Sequence, residues 1–140
     1  MLDIRDKIID SARSFLGTPY NHQGRLKGIG IDCVGLVVKV AEEIGITGIQ
    51  DRTDYSSRPS GILPIEMKQA GFVEIPVEER MPGDIGIFWF RAPHLPQHAA
   101  IFTEKGVVHT FNGSDTVIEQ RLPQKWLDRL VHVFRFPGVL

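Results

Sequence analysis

The spacing of apolar residues changes once along this chain, at Met81-Pro82-Gly83-Asp84. Before that turn they recur every three to four positions, and after it at every second position. A stripe of period 3.6 is continuous only on a helix, and a period of two only on a half-buried strand. Helices therefore come first and an antiparallel sheet second, which is an α+β architecture. The 140 residues have the length of one domain, spanning 1–140, and bury enough surface to fold without a covalent staple.

The spacing predicts a first helix over Asp3–Leu16, with Ile4, Ile8, Ile9, Ala12, Phe15 and Leu16 on one face. Asp3 caps it, and Gly17 with Pro19 stops it. A loop carrying Gly17, Gly24, Gly28 and Gly30 follows. It lacks the Gly-Lys-Ser/Thr ending that would make it a phosphate cradle. The apolar run from Asp32 to Ala41 has the β-branched content of a strand, but its length and the Asp32 cap fit a buried helix ending at Gly45, the reading adopted here. Ile46–Pro59 is polar and irregular. Ser60–Ala70 forms a short helix, with Ser60 as cap, Pro64 near the start and Gly71 beyond the end. Met81-Pro82-Gly83-Asp84 suits a type II turn. Strands are expected at Ile85–Phe90, His98–Phe102, Val107–Phe111, Thr116–Gln120 and Val131–Phe136, with a short helix over Pro123–Leu130. Turns at Glu104-Lys105-Gly106 and Asn112-Gly113-Ser114 join the middle three strands.

Sixteen Lys and Arg stand against seventeen Asp and Glu, a net charge of −1, so no general field draws nucleic acid or an anionic membrane. One cysteine excludes an internal disulfide and the multi-thiolate zinc sites, and no metal or other cofactor is expected. No apolar run approaches the ~20 residues of a membrane span. The N-terminus lacks the basic and apolar segments of a secretory signal. The expectation is synthesis in the cytoplasm, with some other carrier if the protein works outside its cell.

Cys33 sits in the first turn of the second helix, where unpaired N–H groups and the helix dipole favour a thiolate. A reactive nucleophile and a small buried hydrophobe are both open from position alone. Of five histidines, His22 lies in the glycine-rich loop and His132 in the last strand, neither with an evident partner. His94 and His98 are four apart, but Pro93 and Pro96 break any helical metal pair, and His94 reads as a loop residue in water. His98 and His109 fall in two strands joined by a tight turn. An even register, with Thr103 opposite Gly106, makes them diagonal neighbours on one face; an odd one separates them. With Cys33 they supply, in chain order, a nucleophile, a base and a group that orients the base.

Five segments carry a resemblance. Ala12-Arg13-Ser14-Phe15-Leu16-Gly17-Thr18-Pro19-Tyr20, Gly30-Ile31-Asp32-Cys33-Val34-Gly35-Leu36-Val37, Met81-Pro82-Gly83-Asp84-Ile85, His98-Ala99-Ala100-Ile101-Phe102 and Val107-Val108-His109-Thr110 resemble, in order, the motifs of the NlpC-type cell-wall cysteine peptidases. The resemblance implies a papain-like fold, with the nucleophile helix packed on a sheet of five to six antiparallel strands. It also implies hydrolysis of peptidoglycan stem peptides, usually between γ-D-glutamate and diaminopimelate or lysine. By the same resemblance Cys33 is the nucleophile, His98 the general base and His109 its orienting partner. Tyr20 lines the site and adds its hydroxyl to the Cys33 N–H around the oxyanion, while Asp32 faces the free amine of a stem peptide.

Two departures matter. Many members follow the cysteine with a serine that helps hold that amine; Val34 offers no hydrogen bond, so little preference for a free amine is expected. His22-Gln23-Gly24-Arg25 together with Asp32-Cys33-Val34-Gly35-Leu36 looks like the subgroup encoded among phage and prophage tail genes. That implies tail proteins as partners and a tail structure as the carrier to the wall. Three readings remain in view: a tail-borne peptidoglycan hydrolase, a tail-tip component that mainly binds partners, and an intracellular amidase or acyltransferase. The intact Cys33, His98 and His109 favour the first.

Overall fold

A computed structural model describes residues 3–56, 60–90 and 94–140. Helix α1 spans Ile4–Ser14 and starts where the Asp3 carboxylate accepts the Asp6 N–H at 2.9 Å. Ile8, Ala12 and Phe15 are buried along its inner face, but the helix ends at Ser14, so Leu16 leaves the stripe and is 43% exposed. Ile4, at the first turn, is also exposed rather than packed. A two-residue ladder of β1 (Arg25–Leu26) and β2 (Gly30–Ile31) ties down the glycine-rich loop ahead of helix α2, Cys33–Glu43.

Helix α3 is Leu63–Ala70, three residues shorter at its start than expected. Ile62 takes the cap position and makes no side-chain hydrogen bond there. The left-handed Gly61, φ +76°, turns the chain between Ser60 and the helix, which removes Ser60 from the capping role. Gly71 closes the helix with φ +110°, a conformation open to glycine at little cost.

The sheet has six antiparallel strands: β3 (Val73–Ile75), β4 (Ile85–Phe88), β5 (His98–Thr103), β6 (Gly106–His109), β7 (Ile118–Gln120) and β8 (Leu130–Arg135), in the order β3-β8-β4-β5-β6-β7. Strand β3, followed by a single 3-10 turn at Val77–Glu79, was not expected from the sequence. Helix α4 covers only Gln124–Leu127, because Leu130 already belongs to β8. Strand β4 stops at Phe88, where its register against β8 shifts, so Trp89 and Phe90 leave the ladder. Strand β6 ends at His109, and β7 starts at Ile118 rather than Thr116.

Helices α1, α2 and α3 lie on one face of the sheet. Ile8, Phe15, Leu36 and Val40 bury against Ile85, Ile101, Val108 and Phe134. Phe88, Ala100, Phe102, Val107 and Val133 form a smaller cluster on the other face. The turn before β4 is anchored by Asp84, whose carboxylate accepts from Arg5 and Arg135 and is fully buried. Among the described residues no helix is long and apolar enough to cross a membrane.

Candidate active site

Asp32 starts α2 in extended conformation, and its Oδ1 accepts the Gly35 N–H at 2.8 Å. That cap places Cys33 in the first helical position, half-buried at the bottom of a cleft of about 710 Å³. The backbone N–H groups of Ala99, Val34 and Cys33 itself are directed at the sulfur and favour its anion. Burial and the neighbouring Asp32 charge outweigh them and push the thiol up to about 11. The resting group is therefore a neutral thiol, not the thiolate expected from its place at a helix start. Desolvation of an anion exceeds the benefit of one helix end.

Alternation along β5 turns Ala99 and Ile101 toward the helices, and His98 with Ala100 toward the opposite face. Cys33, at the start of α2, and His98, at the start of β5, both line the cleft. The register of β5 on β6 pairs Thr103 with Gly106, Phe102 with Val107 and Ile101 with Val108. Continued, it sets Ala100 opposite His109, the even arrangement. His98 and His109 are accordingly diagonal neighbours, with His98 Nε2 2.8 Å from His109 Nδ1. His98 is 3% and His109 1% exposed.

The relay extends one strand further. His109 Nε2 lies 3.1 Å from Oε1 of Gln120, an atom that only accepts, so His109 carries its proton on Nε2. Burial holds both imidazoles below their ordinary range, His98 well below it, with the adjacent His109 adding to the effect. A neutral His109 protonated on Nε2 presents a lone pair at Nδ1. His98 must then donate from Nε2, which leaves its Nδ1 unprotonated and able to take a proton. The tautomer of the base is set two residues away.

Asp32 does not line the cleft; both of its oxygens are engaged inside the protein. Oδ1 also accepts from Arg25 at 3.0 Å, and Oδ2 accepts from the Gln23 N–H at 2.8 Å and from the Tyr55 hydroxyl. Arg25 further donates to Asp51, to the Arg52 carbonyl and to the Tyr55 oxygen. Tyr20 does line the cleft. Its phenol is pushed up by burial, then by the charges of Cys33 and Asp32, so it stays protonated and able to donate.

The sequence profile of the NlpC/P60 family matches residues 17–135. The chain belongs to the NlpC/P60 family. A lipoprotein-like NLP/P60 family protein of Staphylococcus aureus superposes with TM-score 0.67 at 23% identity, covering 99% of this chain and 43% of that one. This chain therefore spans less than half of that relative. The NlpC/p60 domain of the peptidoglycan hydrolase SagA superposes with TM-score 0.63 at 22% identity, covering 94% and 98%. RipD of Mycobacterium tuberculosis, a non-catalytic NlpC/p60 domain protein adapted to peptidoglycan binding, gives TM-score 0.64 at 18% identity over 96% and 98%. At these identities the likeness is one of fold, α+β with a six-stranded antiparallel sheet, as in the papain-like members. No curated protein matches the chain.

The remaining histidines of this NlpC/P60 domain stand away from the relay. His22 meets the Tyr55 ring edge-on at 5.5 Å, His94 stacks on Trp89 at 4.1 Å, and His132 Nδ1 is 2.6 Å from Glu74. Gln120 and Tyr55 carry no functional signal in the sequence, and Arg25 enters there only as the end of the His22-Gln23-Gly24-Arg25 signature. Spacing alone marks Gln120: it follows His109 by eleven residues, as His109 follows His98.

Proposed function

We propose that this chain is a cysteine peptidase that cleaves peptidoglycan stem peptides, with Cys33 as nucleophile, His98 as general base and His109 as the residue orienting it. What supports this reading is the line of hydrogen bonds from His98 through His109 to Gln120, which leaves one basic nitrogen at the edge of the cleft that holds Cys33. The thiol passes its proton to His98 Nδ1 as sulfur attacks the scissile carbonyl carbon. The oxyanion is met by the Cys33 N–H and the Tyr20 hydroxyl; a donor so placed is worth about 10²–10³ in rate. His98 then gives its proton to the departing amine, a thioester remains, and His98 activates the water that hydrolyses it.

The scissile bond is the one between γ-D-glutamate and diaminopimelate or lysine, by resemblance to the family. The catalytic domain extends over 1–140, since Ile8, Ala12 and Val139, outside the matched segment, share its core. Association with a phage tail is the reading favoured by His22-Gln23-Gly24-Arg25 ahead of Asp32-Cys33-Val34. A purely binding role, as in RipD, has no use for the relay. Digestion of purified peptidoglycan, with fragments identified by mass spectrometry, tests the activity. New γ-D-glutamyl ends are expected, and intact peptides would overturn it. Detection of the chain in purified virions tests the carrier.

A further inference from the structure

Strand β4 leaves its ladder at Phe88, and the next two residues fasten one side chain instead. The Trp89 N–H donates to the Arg129 carbonyl at 3.2 Å, and the Phe90 carbonyl accepts from the Arg129 guanidinium at 2.9 Å. That guanidinium lies over the Trp89 ring at 4.9 Å and over the Trp126 ring at 5.5 Å. Two indoles and a carbonyl therefore hold its plane before any ligand arrives, so less rotamer freedom is lost on binding. Arg129 lines the cleft, yet among the described residues it meets no carboxylate. Its chain neighbour Asp128 accepts from Gln124. Asp54 and Glu66, the acids lining the cleft, both act on Arg52. One end of the cleft thus presents a fixed cation with most of its five N–H donors to spare.

Phe90, whose carbonyl holds Arg129, lays its ring on the His98 imidazole at 4.4 Å. One side chain therefore separates Arg129 from the base. His98 gives its proton to the departing amine, so this end of the cleft receives the residue on the leaving side of the bond. Lysine there ends in an ammonium, whereas diaminopimelate carries an ammonium and a carboxylate on one terminal carbon. We propose that Arg129 takes the side-chain carboxylate of diaminopimelate and makes the enzyme selective for diaminopimelate over lysine. This rests on the reading that Cys33 attacks the γ-D-glutamyl bond of a stem peptide. Six bonds lead from the departing nitrogen to that carboxylate, about 7 Å when extended, the reach needed to pass one side chain. The planar fork matches a carboxylate with two parallel hydrogen bonds, and a lysine ammonium meets like charge with nothing to accept its protons.

Two measurements test the assignment. In the first, kcat/KM is compared for three tetrapeptides that differ only after γ-D-glutamate: diaminopimelate, diaminopimelate with its side-chain carboxylate amidated, and lysine. The acid is expected to exceed the amide by about ten- to a hundredfold, and lysine to be no better than the amide. Arg129→Gln brings acid and amide together, and Arg129→Lys, which keeps the charge without the fork, restores part of the gap. Loosening of the Trp89 and Trp126 packing alone slows all three peptides alike and leaves their ratios as they were. Equal rates for acid and amide in the native protein, or a ratio that Arg129→Gln leaves unchanged, overturn the proposal even though hydrolysis persists. The second measurement needs no turnover, so it stands if the peptidase reading fails. In calorimetric titrations of the Cys33→Ala protein, the acid peptide is expected to bind more tightly than the amide, with the difference lost on adding Arg129→Gln. Equal affinities, or no binding of any of the three peptides, overturn it.

Discussion

The amide oxygen of Gln120 accepts a hydrogen bond from His109 Nε2 at 3.1 Å, from the strand beyond the one that bears the histidine. The three side chains His98, His109 and Gln120 run diagonally over β5, β6 and β7, each step shifted by two residues from the direct pair. A pleated sheet places such diagonal neighbours within reach of long side chains. The geometry therefore transmits a proton preference across three strands with no mobile part.

Replacing Gln120 with Leu frees the tautomer of His109 and hence that of His98. A drop of about ten- to a hundredfold in kcat is expected, the size that follows loss of the hydrogen-bond partner orienting a metal-bound imidazole. Gln120→Glu keeps the acceptor and adds charge, so it stabilises both imidazolium forms and moves the acid limb of the pH profile upward. An unchanged profile in Gln120→Glu would confine Gln120 to packing.

Cys33→Ala and His98→Ala are each expected to abolish release of peptide fragments, whereas His109→Ala retains a small residue of activity. The first two carry bond formation and proton transfer; His109 acts through His98. Wild-type rates in His98→Ala would remove it from the mechanism.

The titration of the resting site follows from burial. Its thiol, pushed up to about 11, is almost wholly protonated at neutral pH. Iodoacetamide should therefore modify Cys33 more slowly than a free thiol at pH 7.5, with the rate rising toward pH 11. For stability the sign is the reverse on the histidine side. His98 and His109 have folded-state values below the ordinary 6.5, so the unfolded chain binds more protons as pH falls. Their contribution is complete above 6.5 and is lost as pH descends from there toward the depressed folded values. Urea midpoints between pH 7 and pH 4 should fall for the native protein and fall less for a His98→Phe, His109→Phe double variant.

Substrate preference follows from Asp32. Its oxygens are taken by Gly35, Arg25, Gln23 and Tyr55, and Val34 adds no acceptor. A free amine at the head of a stem peptide finds no open partner there. Similar kcat/KM is expected for a tetrapeptide and for the same peptide linked to muramic acid. A hundredfold preference for the free peptide, about 2.7 kcal/mol, would mean that the Asp32 cluster opens to substrate.

Much of this was legible in the residues. The Asp32 cap fixes where α2 begins, and the short Glu104-Lys105-Gly106 turn fixes the register that brings His98 to His109. Strand β3 was hidden because three residues are too few for a period, and its Val73 is 53% exposed, so no alternation marks it. Its partner β8 lies at the far end of the chain. The contacts of Arg25 come from a two-residue strand and those of Tyr55 from an irregular segment, where no spacing rule applies. The direction of the Cys33 shift depends on how deeply the sulfur is buried, a tertiary quantity that position on a helix does not report.

Tyr55 has one more consequence, in time rather than in space. Asp32 reaches Gly35 and Arg25 across three and seven residues, but Tyr55 across 23. The near contacts form as soon as the loop and α2 nucleate, whereas the Tyr55 hydroxyl must wait for the irregular segment to be drawn in. Contacts made after the folding barrier slow unfolding and leave the folding rate alone. Tyr55 is thus a latch on the lifetime of the finished site: in stopped-flow experiments Tyr55→Phe should steepen loss of the native state while refolding keeps its pace.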